Sequence, residues 1–192
     1  MKLSEMWFEP FEASLLELSR QDTDWLRYLS LLKLGVQAGD DRAMHALGSL
    51  MLSGATEPKV IRNRAEGIRL LHRATRSVPM AMLEYAEILE GGLRGVKKNE
   101  ALAFAMYKRA ERYGSVAARF HVARCLLAGT GVAIDRPGAA RRLKLCLELG
   151  WPRRDDIQEC LAVANAATEK NARANRARSV SSRGARAKRR RS

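Results

Sequence analysis

Residues 118–150, ARFHVARCLLAGTGVAIDRPGAARRLKLCLELG, hold the reading that decides the fold. Residues 118–128 place apolar and small side chains at helical spacing, and Gly129 follows them directly. Pro137 suits the first turn of a second helix, where a missing N–H costs nothing. Gly150 stands where a left-handed residue would stop that helix. The glycines of GTGV also invite another reading, as a loop that cradles a phosphate. Such a loop needs a strand before the glycines and a helix after, or a G-x-x-x-x-G-K-[S/T] run. Here a helical pattern precedes Gly129 and no Gly-Lys-Ser/Thr follows, so the stretch reads as a corner between two helices.

The same arrangement recurs along the chain. With Gly39, Ser77, Gly114 and Gly150 as origins, successive units are 38, 37 and 36 residues long. Four residues after the first three origins stand Ala43, Ala81 and Ala118, and eight after stand Leu47, Tyr85 and Val122. Nine after stand Gly48, Ala86 and Ala123, and fifteen after stand Gly54, Gly92 and Gly129. A block before each origin carries a mostly small column (Gly35, Ala74, Ala110, Cys146) and a mostly basic one (Lys33, His72, Lys108, Lys144). Each unit therefore reads as a helix, a glycine turn and a second helix. Antiparallel pairs cannot bury their apolar faces alone, so the units must stack. The small columns let backbones approach closely where helices cross.

These segments resemble Sel-like repeats, relatives of tetratricopeptide repeats, whose pattern runs A-x-x-L-G…G-x-G-V…A…K-A-A-x-x-G. It is matched by AMHALGSLMLSG (43–54), AMLEYAEILEGGLRGV (81–96) with ALAFAMYKRAERYG (101–114), and ARFHVARCLLAGTGV (118–132) with AARRLKLCLELG (139–150). The resemblance spans residues 25–165. It implies an all-α protein, an α/α solenoid of stacked antiparallel helix pairs, that scaffolds assemblies without catalysis of its own. There are departures. The first unit lacks the G-x-G-V turn, carries the longer connection ATEPKVIRN (55–63) and ends at Ser77, while GLRGV in the second has one extra residue. The expected organisation is N-terminal capping helices over 1–40, a repeat array over 41–166 and a disordered basic tail over 167–192. Within the array the units fall at about 41–77, 78–114 and 115–150, with a closing helix over 153–166.

Charge is distributed unevenly. Of the net +14, residues 169–192 contribute a surplus of nine, with ten lysines and arginines against Glu169. Residues 1–40 are acidic, with seven acids and four bases. The tail has no apolar face and should not fold. Its reading is electrostatic capture of a polyanion through Arg183, Arg186, Lys188, Arg189, Arg190 and Arg191: nucleic acid, an acidic protein surface or an anionic membrane. It has no aromatics to stack on bases, which argues against sequence-selective RNA binding. No secretory signal and no membrane span is read, and Cys125, Cys146 and Cys160 read as reduced, buried thiols, so a cytoplasmic location is expected. The Ala/Arg-rich composition suggests a bacterial chain.

No catalytic constellation is read, no cofactor is implied and no metal site is expected. His121 and Cys125 could share a helix face, but other units lack matching ligands. What remains is recognition of a protein or peptide by the concave face that the first helices of a solenoid make. Positions six, seven and ten after each origin are expected to face outward: His45, Ala46 and Ser49, then Leu83, Glu84 and Glu87, then Phe120, His121 and Arg124. Of these, Leu83, Glu84, Glu87, Phe120, His121 and Arg124 are selected as a binding strip. The expected function is an adaptor with a basic tail; the alternative is a nucleic-acid-associated protein whose tail is the main binding element.

Overall fold

The structure is a computed structural model that describes residues 22–53, 63–152 and 154–166. Eight helices run through these residues, and no strand does. They are α1 (Asp22–Gln37), α2 (Asp41–Ser53), α3 (Arg64–Ala74), α4 (Pro79–Gly91), α5 (Glu100–Arg112), α6 (Val116–Ala128), α7 (Arg136–Glu148) and α8 (154–166). α1 packs on α2 and α2 on α3, and likewise α5 on α6 and α6 on α7, in an all-α solenoid. The expected helix before residue 22, the connection after residue 53 and the basic tail lie outside the described residues. The chain divides into two compact units, Met1–Tyr85 and Ala86–Ser192.

In the first unit, small residues set how closely the helices cross. A Cβ on Gly35 of α1 would stand 2.6 Å from that of Ala43 on α2. Gly48 of α2 faces Gly67 of α3, and a Cβ on either would come within 3.0 Å of the other's carbonyl oxygen. Around these contacts Leu29, Leu32, Met44, Leu52, Leu70 and Leu71 are buried. Asp40 caps α2, its carboxylate accepting from the N–H groups of Arg42 (2.7 Å) and Ala43 (3.3 Å). Where the other units have a glycine, α3 ends without a left-handed residue. Thr75 is right-handed, and Arg76 and Ser77 both donate to Asp41, each at 2.7 Å. Burial alone would raise the Asp41 carboxyl. The hydrogen bonds from Arg76 and Ser77, with the charges of Arg76 and Arg73, outweigh it and hold the group below the ordinary carboxylate range.

The second unit contains the corner quoted at the outset. Gly129 ends α6 in the left-handed region (φ 79°), its N–H donating to the Cys125 carbonyl at 2.8 Å. Gly131 (φ 67°) lies against α5: a Cβ there would sit 2.1 Å from the Glu100 carbonyl oxygen. The backbone of the corner thus packs directly on the first turn of α5. The N–H of Asp135 closes the loop onto the Leu126 carbonyl at 3.0 Å, as Asn99 closes onto Leu89 at 2.9 Å one corner earlier. The extra residue of GLRGV is absorbed by Arg94, at φ 58°. Val132 in this turn is half-buried; Pro137 occupies the first turn of α7 as its sequence position implies.

One column escaped the sequence reading. Asn63, Asn99 and Asp135, each 36 residues from the next, are the N-caps of α3, α5 and α7. Each side chain accepts from the N–H three residues on, at 3.1, 3.0 and 2.9 Å. Such a cap is worth about 1 kcal/mol.

Candidate interaction surface on the first helices

The first helices of the repeats are α2, α4 and α6. In the first unit, Ser49 on α2 donates to Glu84 on α4, and His45 Nε2 stands 3.4 Å from the same carboxylate. In the second unit, His121 Nε2 on α6 stands 3.6 Å from Glu87 Oε1 on α4. Arg124 Nη2 reaches both carboxylate oxygens of Glu90 at 2.8 Å. Counted from the origins, position ten of one repeat meets position seven of the next in both places, Ser49 with Glu84 and Glu87 with His121. The polar positions expected to face a partner therefore first meet each other, as rungs between successive first helices.

A buried side chain supports the second set of rungs. Tyr107 of α5 is fully buried, its hydroxyl donates to Glu90 Oε2 at 2.8 Å, and its ring stacks on His121 with centroids 4.8 Å apart. Burial and then the hydrogen bond to Glu90 push the phenol well above its ordinary range, so it remains a donor at any physiological pH. Glu87 and Arg124 keep 48% and 46% of their side-chain surface in solvent. Pairs this exposed contribute at most about 1 kcal/mol each. Their effect is to fix position more than to add stability.

Two expected strip residues are placed otherwise. Leu83 and Phe120 are 8% and 4% exposed, inside the protein and not on its face. The reason is visible on α6, where Ala118, Phe120, Val122, Ala123, Cys125 and Leu126 are all buried. A helix packed on several sides has no broad outward stripe, so position six points into the core. Glu84, Glu87, His121 and Arg124 remain at least partly accessible. Ser49, at position ten of the first unit, meets Glu84 on the face that the count selects; Glu90 and Tyr107 belong to the same network and were not foreseen. The signal available was the spacing of 34–35 residues that separates Ser49 from Glu84 and Glu90 from Arg124.

Cys125 and Cys146 are buried, but Cys160 is only half so, which corrects the expectation of three buried thiols. Burial pushes the Cys125 and Cys146 thiols up to about 11. Among the described residues no group of three or more His, Cys, Asp or Glu side chains could hold a metal ion. No helix there is long and apolar enough to cross a membrane. The tail residues Arg183, Arg186, Lys188, Arg189, Arg190 and Arg191 lie outside the described residues.

With this geometry in place, comparisons with known proteins acquire meaning. The sequence profile of the Sel1 repeat matches residues 41–77, 79–112 and 116–143. The fold is similar to that of a Sel1 repeat protein from Oxalobacter formigenes, at 30% identity and a TM-score of 0.62, over 71% of this chain and 98% of that one. It is also similar to a protective antigen present in uropathogenic Escherichia coli strains that displays an SLR fold. That likeness is at 22% identity and a TM-score of 0.53, over 63% of this chain and 25% of the other, and it concerns the fold alone. The curated proteins give no match.

Proposed function

The chain belongs to the Sel1 repeat family, whose members are generally non-catalytic protein-interaction scaffolds, and from that membership we propose that it is an adaptor holding an extended peptide or partner helix on the concave face of its first helices. The observation that carries this reading is the set of rungs between neighbouring first helices. Glu84, Glu87, His121 and Arg124 present polar groups in fixed positions with part of their surface still in water. A partner's main chain or side chains can bond to such groups without first ordering them, which lowers the entropic cost of binding. Leu83 and Phe120 act from beneath, as packing that supports the face.

In this reading the ten bases of residues 169–192 add a salt-sensitive attraction for anionic partners. A cytoplasmic setting suits the three free cysteines. Affinity capture from the native host with full-length protein, compared with Glu87→Ala and Arg124→Ala, tests the face. Both variants change half-exposed side chains and should keep the helical circular dichroism of the wild type. A partner retained by the wild type and lost by both supports the proposal. Partners held equally by all three proteins place the contact elsewhere. The tail reading is tested by substituting Arg186, Arg189, Arg190 and Arg191 with glutamine and measuring binding to duplex DNA and RNA in a salt series; unchanged binding removes the tail as the nucleic-acid element.

A further inference from the structure

In the second unit, charge is sorted between the two kinds of helix. On α6 both arginines meet carboxylates, Arg124 with Glu90 and Arg119 with Glu111. On the second helices α5 and α7 there are seven lysines and arginines against three acids. Two of those acids are engaged: Glu100 by Lys98 at 2.7 Å, and Glu111 by Arg142 at 3.1 Å as well as by Arg119. The Glu111–Arg142 bond ties α5 to α7 side by side. Lys108, Arg112, Arg141 and Lys144 are exposed, and none is in the ion pairs of the described residues; Lys108 Nζ stands 5.9 Å from the centre of the Phe104 ring. Lys108 and Arg112 lie one helical turn apart, about 6 Å along α5. Next to them Arg109, Arg112 and Tyr113 line an open cavity of about 340 Å³, with Tyr113 43% exposed.

We propose that this face of α5 and α7 binds single-stranded nucleic acid, with Lys108, Arg112, Arg141 and Lys144 along the phosphates and a base stacked on Tyr113 beside Arg112. The chemistry selects this occupant. Four exposed cations, with Glu148 the one acid of these two helices not engaged by Lys98, Arg119 or Arg142, attract any polyanion. An exposed aromatic ring set among arginines at the mouth of a cavity is suited to an unstacked base, which a duplex does not offer. Guanidinium groups add bidentate contacts to phosphate. The site lies on other helices than the proposed protein-binding face, so the adaptor reading stands or falls separately.

The test is fluorescence anisotropy of a labelled oligouridine of about 12 nucleotides, within the range of single-strand binding sites, titrated with full-length protein at two or more salt concentrations. The triple substitution Arg112→Glu, Arg141→Glu, Lys144→Glu should weaken binding at least tenfold and flatten the dependence of log K on log salt by about 2. Tyr113→Ala should weaken binding about fivefold or more and leave the salt slope unchanged, because stacking releases no counterions. The neutral triple variant with glutamine at the same three positions guards against misfolding and should show a similar flattening with a smaller loss of affinity. Binding with an unchanged slope in both triple variants overturns the proposal and leaves polyanion binding to the tail. Equal competition by polyglutamate together with a silent Tyr113→Ala also overturns it, and identifies the face as one for acidic proteins.

Discussion

Alanine at Gly131 tests the account of the corner quantitatively. Gly95 provides the reference: it is left-handed (φ 86°) with nothing within 4 Å of an added Cβ, so Gly95→Ala carries backbone strain alone. That strain is about 1–2 kcal/mol. Gly131→Ala carries the same strain and adds a collision with backbone atoms, the Glu100 carbonyl oxygen at 2.1 Å, its carbon at 2.3 Å and the Ala101 nitrogen at 2.7 Å. No side chain can swing aside there, so the corner must lift away from the first turn of α5. Forcing apart packed elements in this way costs a further ~1–3 kcal/mol. The total, ~2–5 kcal/mol, corresponds at a urea slope near ~2 kcal/mol/M to a midpoint drop of about 1–2.5 M, against about 0.5–1 M for Gly95→Ala. Gly129→Ala should fall between them, since its nearest neighbour at 3.0 Å is an Ile134 side-chain carbon that can give way. Urea unfolding followed by circular dichroism at unchanged slope reads all three. Equal midpoints for the Gly131 and Gly95 variants would refute the close approach.

Four other outcomes follow from the geometry. Ala123→Leu, at a fully buried crossing position, should cost ~1–3 kcal/mol by overpacking, seen as a lower urea midpoint; a neutral result would mean the helices are looser than described. Alkylation at pH 8, read by peptide mass spectrometry, should modify half-buried Cys160 first, while Cys125 and Cys146, pushed up to about 11 by burial, react only as the protein unfolds; equal rates for all three contradict the burial. Asp41 is held below its ordinary range, so its contribution is present above about pH 4 and is lost as pH falls through the lowered folded value. The stability gap between wild type and Asp41→Asn should therefore close in acid, and a gap constant from neutral pH down to about pH 2 would exclude the linkage. Tyr107→Phe should destabilise by about 1 kcal/mol through the lost hydrogen bond to Glu90, measured as a urea-midpoint shift, and an unchanged midpoint would mean water replaces it.

The architecture was readable because its signals are periodic and local. Glycines that need positive φ recur at Gly92, Gly95, Gly129 and Gly131, and alanine recurs at the buried positions 43, 81 and 118. The surface was harder to read. Assigning Leu83 and Phe120 to an outward strip assumed that each first helix has one buried side. In VAARFHVARCLLA apolar residues surround the helix, so hydrophobicity alone carries no direction. The rungs were hidden for a different reason. Their partners lie 34–35 residues apart in sequence, and a single column of Glu, His and Ser shows no pattern until neighbouring helices are placed side by side. The Asx caps were overlooked because asparagine and aspartate count as different letters, although to a backbone N–H they are the same acceptor.

That cap column has a consequence for how such a chain grows. A block running from Asn99 to residue 134 starts with its own helix-initiating side chain and stops one residue short of the next one, Asp135. Duplicating or excising it moves whole helix pairs and leaves every second helix with a starter already attached. Lengthening the array at this period creates no frayed end to be repaired by later substitution. The 36-residue spacing of acceptor side chains is thus a set of cut marks, at which evolution or an engineer can change the number of repeats without rewriting any of them.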